Sequence, residues 1–355
     1  WVIMYIPKFL FGAFEGQSTE EISAQFGQAI SNPIGVLPYF TFFAALTTWL
    51  VARGVNSGIE WASKVLMPLF FTLLIALSLY SLWSGLSTEI VTESGEKTNG
   101  TAQALSFLFS PDWSAVNAGT VTRALGQAFF SIGLGSAIMI TYGSYLPKSI
   151  NIPKSALIVG LTDTGVALVA GLAIFPIVFS HGLDATAGAG LFFQTLPIAL
   201  HSAPGGSFIG AAFFFLAIFA AVTSSISLLE PIVAWVSERF NMARMKAAIM
   251  MGVAMWILGL CSIYIGGFMD FIDVKLTAAI MLPLTGFLTV VFVGWRMNKA
   301  MVDEQMAGVS AGLRHLLFFL VRFVAPISVF IVLILGIDHT YFHDTLGKLL
   351  HIVSA

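Results

Sequence analysis

Charge is scarce in this sequence. Of 355 residues only 10% are charged, 16 Lys+Arg and 18 Asp+Glu, whereas a soluble domain carries about 25%. A soluble fold is therefore excluded. The net charge of −2 offers no basic surface, which removes nucleic acid as a partner. One cysteine, Cys261, lies inside an apolar run, so neither a disulfide framework nor a thiolate metal cluster can be built. There is no initiator Met. The chain opens at Trp1 within an apolar run too short to span and without a charged leader, which reads as the remnant of a cut helix with a segment expected upstream.

Apolar residues dominate instead: 57% are hydrophobic and 13% aromatic, with a mean hydropathy of +0.91. Stretches of about 20 uncharged apolar residues match the thickness of a hydrocarbon core, so the chain is expected to be an all-α polytopic membrane protein in contact with a lipid bilayer. Spans are expected near 35–52, 64–84, 122–146, 155–180, 206–236, 247–267, 274–296 and 315–337, after a half-span at the start. They are expected to form a single transmembrane domain over 1–355, since no linker interrupts them. Arg53, Lys64, Lys148, Lys154, Arg239, Arg244, Lys246, Arg296, Lys299 and Arg314 fall in one set of alternate loops; the other set holds only Lys8, Lys97, Arg123 and Lys275. The first set is cytoplasmic by the positive-inside rule. The outer segments 105–113 and 190–200 are apolar for loops, which predicts lids folded back onto the bundle or, alternatively, interfacial helices.

Two carboxylates interrupt the spans. An ionisable residue at mid-membrane costs about 2.5–3.5 kcal/mol on insertion scales, so each needs a reason. Asp163 lies between Thr162 and Thr164, and oxygen donors of this kind suit a hard cation such as Na⁺. A carboxylate solvated near the helix end is the alternative. Glu230 precedes Pro231 and reads as structural or as lining an inner vestibule.

The 122–146 span carries Phe130-Ser131-Ile132-Gly133-Leu134-Gly135-Ser136 at its centre. Each Gly costs about 1 kcal/mol relative to Ala in a helix, so a break is expected, and a break at that depth must line a cavity or lie buried in protein. Close helix packing through small residues is the alternative. Thr223, Ser224, Ser225 and Ser227 place further hydroxyls in the 206–236 span, one turn after Ala220, more densely than back-bonding to the preceding turn requires. Three spans thus offer oxygens without a balancing Lys or Arg, which points to a small cation. His339 and His343 have metal-clamp spacing but read as a wet C-terminal helix, and no hydrolase, protease or phosphate-loop motif occurs, so no enzyme is expected. Asn99-Gly100-Thr101 is a glycosylation sequon that matters only in a secretory-pathway cell.

Longer motifs carry a resemblance. Gly54-Val55-Asn56-Ser57-Gly58-Ile59-Glu60, Gly126-Gln127-Ala128-Phe129-Phe130-Ser131, Ile140-Thr141-Tyr142-Gly143-Ser144-Tyr145, Gly190-Leu191-Phe192-Phe193-Gln194-Thr195-Leu196-Pro197 and Ala221-Val222-Thr223-Ser224-Ser225-Ile226 are similar to the neurotransmitter:sodium symporter family, in its bacterial amino-acid-transporting branch. The resemblance runs over essentially the whole chain. It implies an inverted-repeat fold of five plus five helices, here from part of the third helix to the eleventh, the first two being absent.

The same resemblance implies the site. One sodium site would use the Ala220 carbonyl with Thr223 and Ser224, and a second Ser131 with Asp163, where many members have Asn; a shift of one residue would put Thr162 there instead. The charge of Asp163 could replace a chloride, whose role stays open. The amino-acid substrate would meet Phe130 as a lid, with Ser131, Gly133, Ser136, Ser225 and Leu228. Gln127, Asp273, Glu238 and Tyr145 would belong to the gates, whose arginine partners would lie in the first helix. The function implied is Na⁺-coupled uptake of an amino acid, with a large apolar side chain because Ser136 stands where a bulky residue is frequent, by alternating access in a plasma membrane, the bacterial inner membrane. A proton-coupled or exchange-type carrier of similar fold is the alternative, and an ion channel a more distant one. The particular amino acid, ion stoichiometry and oligomeric state are not encoded legibly.

Overall fold

The computed structural model describes residues 1–91, 97–147, 149–183, 190–202, 204–306, 309–342 and 345. Of the residues used above, Lys148 and His343 fall outside this set. In chain order the helices are α1 (Val2–Leu10), α2 (Thr19–Ile30), α3 (Pro33–Ala52), α4 (Ser57–Leu86), α5 (Gly100–Phe109), α6 (Ala118–Ser131), α7 (Ile138–Tyr145), α8 (Ile152–Ser180), α9 (Leu191–His201), α10 (Gly206–Arg239), α11 (Arg244–Tyr264), α12 (Phe268–Arg296), α13 (Lys299–Gln305) and α14 (Ala311–Tyr341). Among the described residues seven of them, α3, α4, α8, α10, α11, α12 and α14, are long and apolar enough to cross a membrane. These match seven of the expected spans with ends shifted by a few residues. The eighth, 122–146, is two helices separated by a break at 132–137. One antiparallel hairpin, Glu89–Val91 with Lys97–Asn99, adds strand to an otherwise helical chain.

The chain divides into two compact units, Trp1–Pro111 with Gly165–Tyr264, and Asp112–Thr164 with Ile265–Ala355. Aromatic packing holds the first. Tyr5, Phe9 and Phe14 are buried with Phe193 and Phe214, and the Tyr5 hydroxyl donates to the Phe193 carbonyl at 2.8 Å, which satisfies a phenol that would otherwise be stranded in the core. Of the two expected apolar outer segments 190–200 is covered, whereas Leu105, Phe107, Phe109 and Trp113 of 105–113 are exposed. Leu196, Ala199 and Leu200 of α9 are buried, unlike an interfacial helix with one face on lipid. In α5, Thr101 donates to the Leu82 carbonyl of α4 at 2.8 Å, and Phe107 packs edge-on against Phe175 and Phe179 of α8.

Glu230 is completely buried and pairs through both oxygens with the Arg244 guanidinium. Arg244 also donates to the Val51 carbonyl at 2.9 and 3.1 Å, so one cation ties the end of α3 to α10 and to the start of α11. The structural reading of Glu230 fits this geometry. Higher up, α3 and α11 approach closely, with the Thr48 side chain against Gly252 and the Phe40 ring against Gly259, contacts that any Cβ on either glycine would obstruct.

In the second unit α12 packs against α14, where Gly336 faces the Ala279 backbone. The Phe129 ring of α6 fills the space left by Gly286 of α12. Arg322, an ionisable residue within the last span that the sequence reading did not single out, lies over the rings of Trp295, Phe318 and Phe323 at 4.8, 5.9 and 5.7 Å.

Candidate functional site

The break between α6 and α7 follows from backbone chemistry. Asn117 caps α6, its side chain accepting from the Thr120 amide at 3.0 Å while Thr120 accepts from the Asn117 amide at 3.3 Å. At the other end the Leu134 amide reaches back to the Phe129 carbonyl and the Gly133 amide to that of Phe130, both at 3.0 Å. This crossed pair is the Schellman closure, and it requires the left-handed backbone that Gly133 supplies at φ 72°. Gly135 (φ 81°) and Ala137 (φ 63°) keep the chain left-handed, so no helix can resume before Ile138. Gly135 is also pressed on the Leu282 carbonyl of α12, where a side chain has no room. The Ser136 hydroxyl donates to the Gly133 carbonyl at 2.6 Å and pins the loop across itself. The first amides of α7 face this break without helical acceptors, as at any helix N-terminus.

Ser131, the last residue of α6, donates to both carboxylate oxygens of Asp163, at 2.8 and 2.9 Å. Asp163 sits about 16 Å along α8 from Ile152 at 1.5 Å rise per residue, near mid-depth of a core about 30 Å thick, which argues against solvation at the helix end. Among the described residues no Lys or Arg pairs with it. The neighbouring Thr162 is exposed, and Thr164 bonds back to the Gly160 carbonyl, so the residue facing Ser131 is Asp163. Phe130 is 58% exposed beside the break while Phe129 is buried, so the two adjacent rings face different surroundings. In the same unit Gln127, Asp273 and Tyr145 are exposed.

The other oxygen cluster lies on α10, in the first unit. The Thr223 hydroxyl is 3.1 Å from the Ala220 carbonyl and 3.0 Å from that of Phe219, and Ser224 is exposed at the next position. Ser225 turns elsewhere: its hydroxyl is 2.8 Å from that of Thr47 on α3, which is fully buried, and it donates to the Val222 carbonyl. That engagement joins two helices, and no sequence spacing signals it. Leu228 is exposed, as is Glu238 in the last turn of α10. Among the described residues no three His, Cys, Asp or Glu cluster, so the oxygens available are hydroxyls, carbonyls and one carboxylate. Such a hard, weakly charged set suits an alkali cation.

Residues 39–346 match the family model described as the sodium:neurotransmitter symporter family. The chain belongs to this family. It is 34% identical over 345 residues to an uncharacterized sodium-dependent transporter of Bacillus subtilis, YhdH, covering 94% of this chain and 73% of that protein. A sodium-dependent transporter of Haemophilus influenzae is 30% identical, with the same coverage of 94% and 73%. Among solved structures, that of MhsT in complex with L-phenylalanine superposes with a TM-score of 0.80 at 36% identity, covering 95% of this chain and 76% of that one. The chain is thus a multi-pass membrane protein of a sodium-coupled transporter family, with the sodium symporter fold, and not an enzyme.

Proposed function

We propose that this symporter couples Na⁺ entry to uptake of an amino acid with a large apolar side chain, by alternating access across a plasma membrane, in a bacterium the inner membrane. The observation that carries the reading is the Ser131–Asp163 pair, a mid-depth carboxylate beside a helix break with no cationic partner among the described residues. A bound Na⁺ would supply the missing positive charge, held by the Asp163 carboxylate and the Ser131 oxygen. A second Na⁺ would use the Ala220 carbonyl, Thr223 and Ser224. The break offers unpaired amides to the substrate carboxylate, Phe130 covers the site, and Gly133 and Ser136 leave space for the side chain. The neighbouring MhsT structure, which holds L-phenylalanine, supports a large apolar substrate.

Uptake of labelled phenylalanine and leucine into liposomes, with and without an inward Na⁺ gradient, tests the reading. Uptake should require Na⁺, and Thr223→Ala with Ser224→Ala should raise the Na⁺ concentration for half-maximal uptake by about tenfold or more, the equivalent of at least ~1.4 kcal/mol. Uptake that ignores Na⁺ but follows a proton or counter-substrate gradient would assign the chain to a proton-coupled or exchange mechanism. Unchanged Na⁺ dependence in the double variant would remove the α10 site.

A further inference from the structure

We infer that the α3–α11 pair carries a binding site for one anionic phospholipid in the leaflet on the Lys- and Arg-rich side of the membrane. A groove of about 360 Å³ runs along the two helices from Thr41 to Ala52, lined among others by Ala45, Trp49, Val253 and Trp256. Its few polar atoms are engaged internally. Thr41 accepts from the Trp256 indole at 3.0 Å, and Thr48 donates to the Ala44 carbonyl at 2.8 Å. What the groove presents is therefore carbon, which suits an acyl chain and not a polar solute. From Thr41 to Ala52 is about 16 Å at 1.5 Å per residue, half of a ~30 Å hydrocarbon core, so the groove has the depth of one leaflet.

The headgroup argument is independent of the chain argument. At the Ala52 end the Arg53 guanidinium is held 4.9 Å over the ring of Trp49, which itself lines the groove. Arg53 is exposed, and among the described residues no carboxylate pairs with it. A cation fixed at the mouth of a leaflet-deep apolar groove fits a phosphate joined to an acyl chain, and basic residues at that level attract anionic lipid.

Native mass spectrometry of the full chain, titrated with phosphatidylglycerol and phosphatidylcholine of equal chain length, tests this. Wild type should retain one phosphatidylglycerol in preference to phosphatidylcholine. Arg53→Gln should weaken phosphatidylglycerol roughly fivefold and erase the preference, whereas Ala45→Trp should displace both lipids by filling the groove. Val253→Trp, at a position 50% exposed where the new ring meets no core, decides the matter if Ala45→Trp fails to fold. Phosphatidylglycerol binding unchanged in the groove variants overturns the proposal. So does a dimer that these variants dissociate without altering lipid binding, since the groove would then hold a second copy.

Discussion

The Ser131 hydroxyl spans both carboxylate oxygens of Asp163, joining the last turn of α6 to the middle of α8. A hydroxyl has one hydrogen to give, so the pair keeps a full negative charge, and an uncompensated charge at that depth is costly. Under the proposed function that charge would be half of a cation site, completed when the ion binds.

Asp163→Asn keeps an acceptor for Ser131 and removes the charge. Contacts to charged groups are worth about 1.5–3 kcal/mol, which corresponds to roughly 10–100-fold in the Na⁺ concentration needed for half-maximal binding. Because coupling between sites is reciprocal, substrate affinity at fixed Na⁺ should fall as well. Ser131→Ala should shift Na⁺ dependence less, since the carboxylate survives. Scintillation proximity binding of labelled substrate against Na⁺ concentration measures both, and an Asp163→Asn curve that overlays the wild type would make the charge structural.

The break allows a graded test within one loop. Gly135→Ala meets two penalties, a left-handed backbone that costs an L-residue about 1–2 kcal/mol and a collision with the Leu282 backbone, which has no flexible end to move aside. Gly133→Ala meets only the first, its nearest neighbours being 3.6 Å away. Gly143, in α7, has nothing within 4 Å, so Gly143→Ala should be neutral or stabilising by up to ~1 kcal/mol. Thermal unfolding in detergent should rank the variants with Gly135→Ala lowest, then Gly133→Ala, then Gly143→Ala at or above wild type. Equal midpoints for the first and last would mean that the break is not constrained by α12.

Spans and break were legible because apolar length, glycine and the lack of charge are local properties. That Ser131 and Asp163 belong to one site was implied by the family resemblance, which left Thr162 as the alternative to Asp163, and not by any spacing in the chain. What stayed hidden depends on neighbours that no spacing encodes. Arg244 reads as one more cytoplasmic loop charge until α10 and α3 are folded beside it, and Ser225 reads as a pocket hydroxyl until Thr47 appears opposite. Arg322 is masked by the mean hydropathy of its own span, and the aromatic rings beneath it come partly from α12.

The Glu230–Arg244 pair should behave as a fixed strut. Removing one member strands the other, at about 3–5 kcal/mol for a buried pair. Glu230→Gln and Arg244→Met should each lower the unfolding midpoint strongly. The double variant should recover most of the loss, since the Val51 carbonyl keeps the Gly54 amide as a donor at 3.1 Å. Additive losses in the thermal unfolding of the two single variants and the double would mean the pair is not coupled in the folded protein.

Substrate size tests the space beside the break. Ser136 is half-buried and its hydroxyl closes on Gly133, so Ser136→Phe changes two things at once, the loop hydrogen bond and the free volume. Ser136→Ala changes only the first and serves as the reference. Each buried methylene contributes about 0.8 kcal/mol, near a factor of four, so wild type and Ser136→Ala should both prefer tryptophan, phenylalanine and leucine over alanine and glycine in a graded series. Ser136→Phe should compress or invert that series by occupying the volume a large side chain needs. Competition for labelled substrate at saturating Na⁺ reads the ranking directly. A wild type that prefers glycine or alanine, or a Ser136→Phe ranking indistinguishable from that of Ser136→Ala, would place the selectivity of this transporter away from the break.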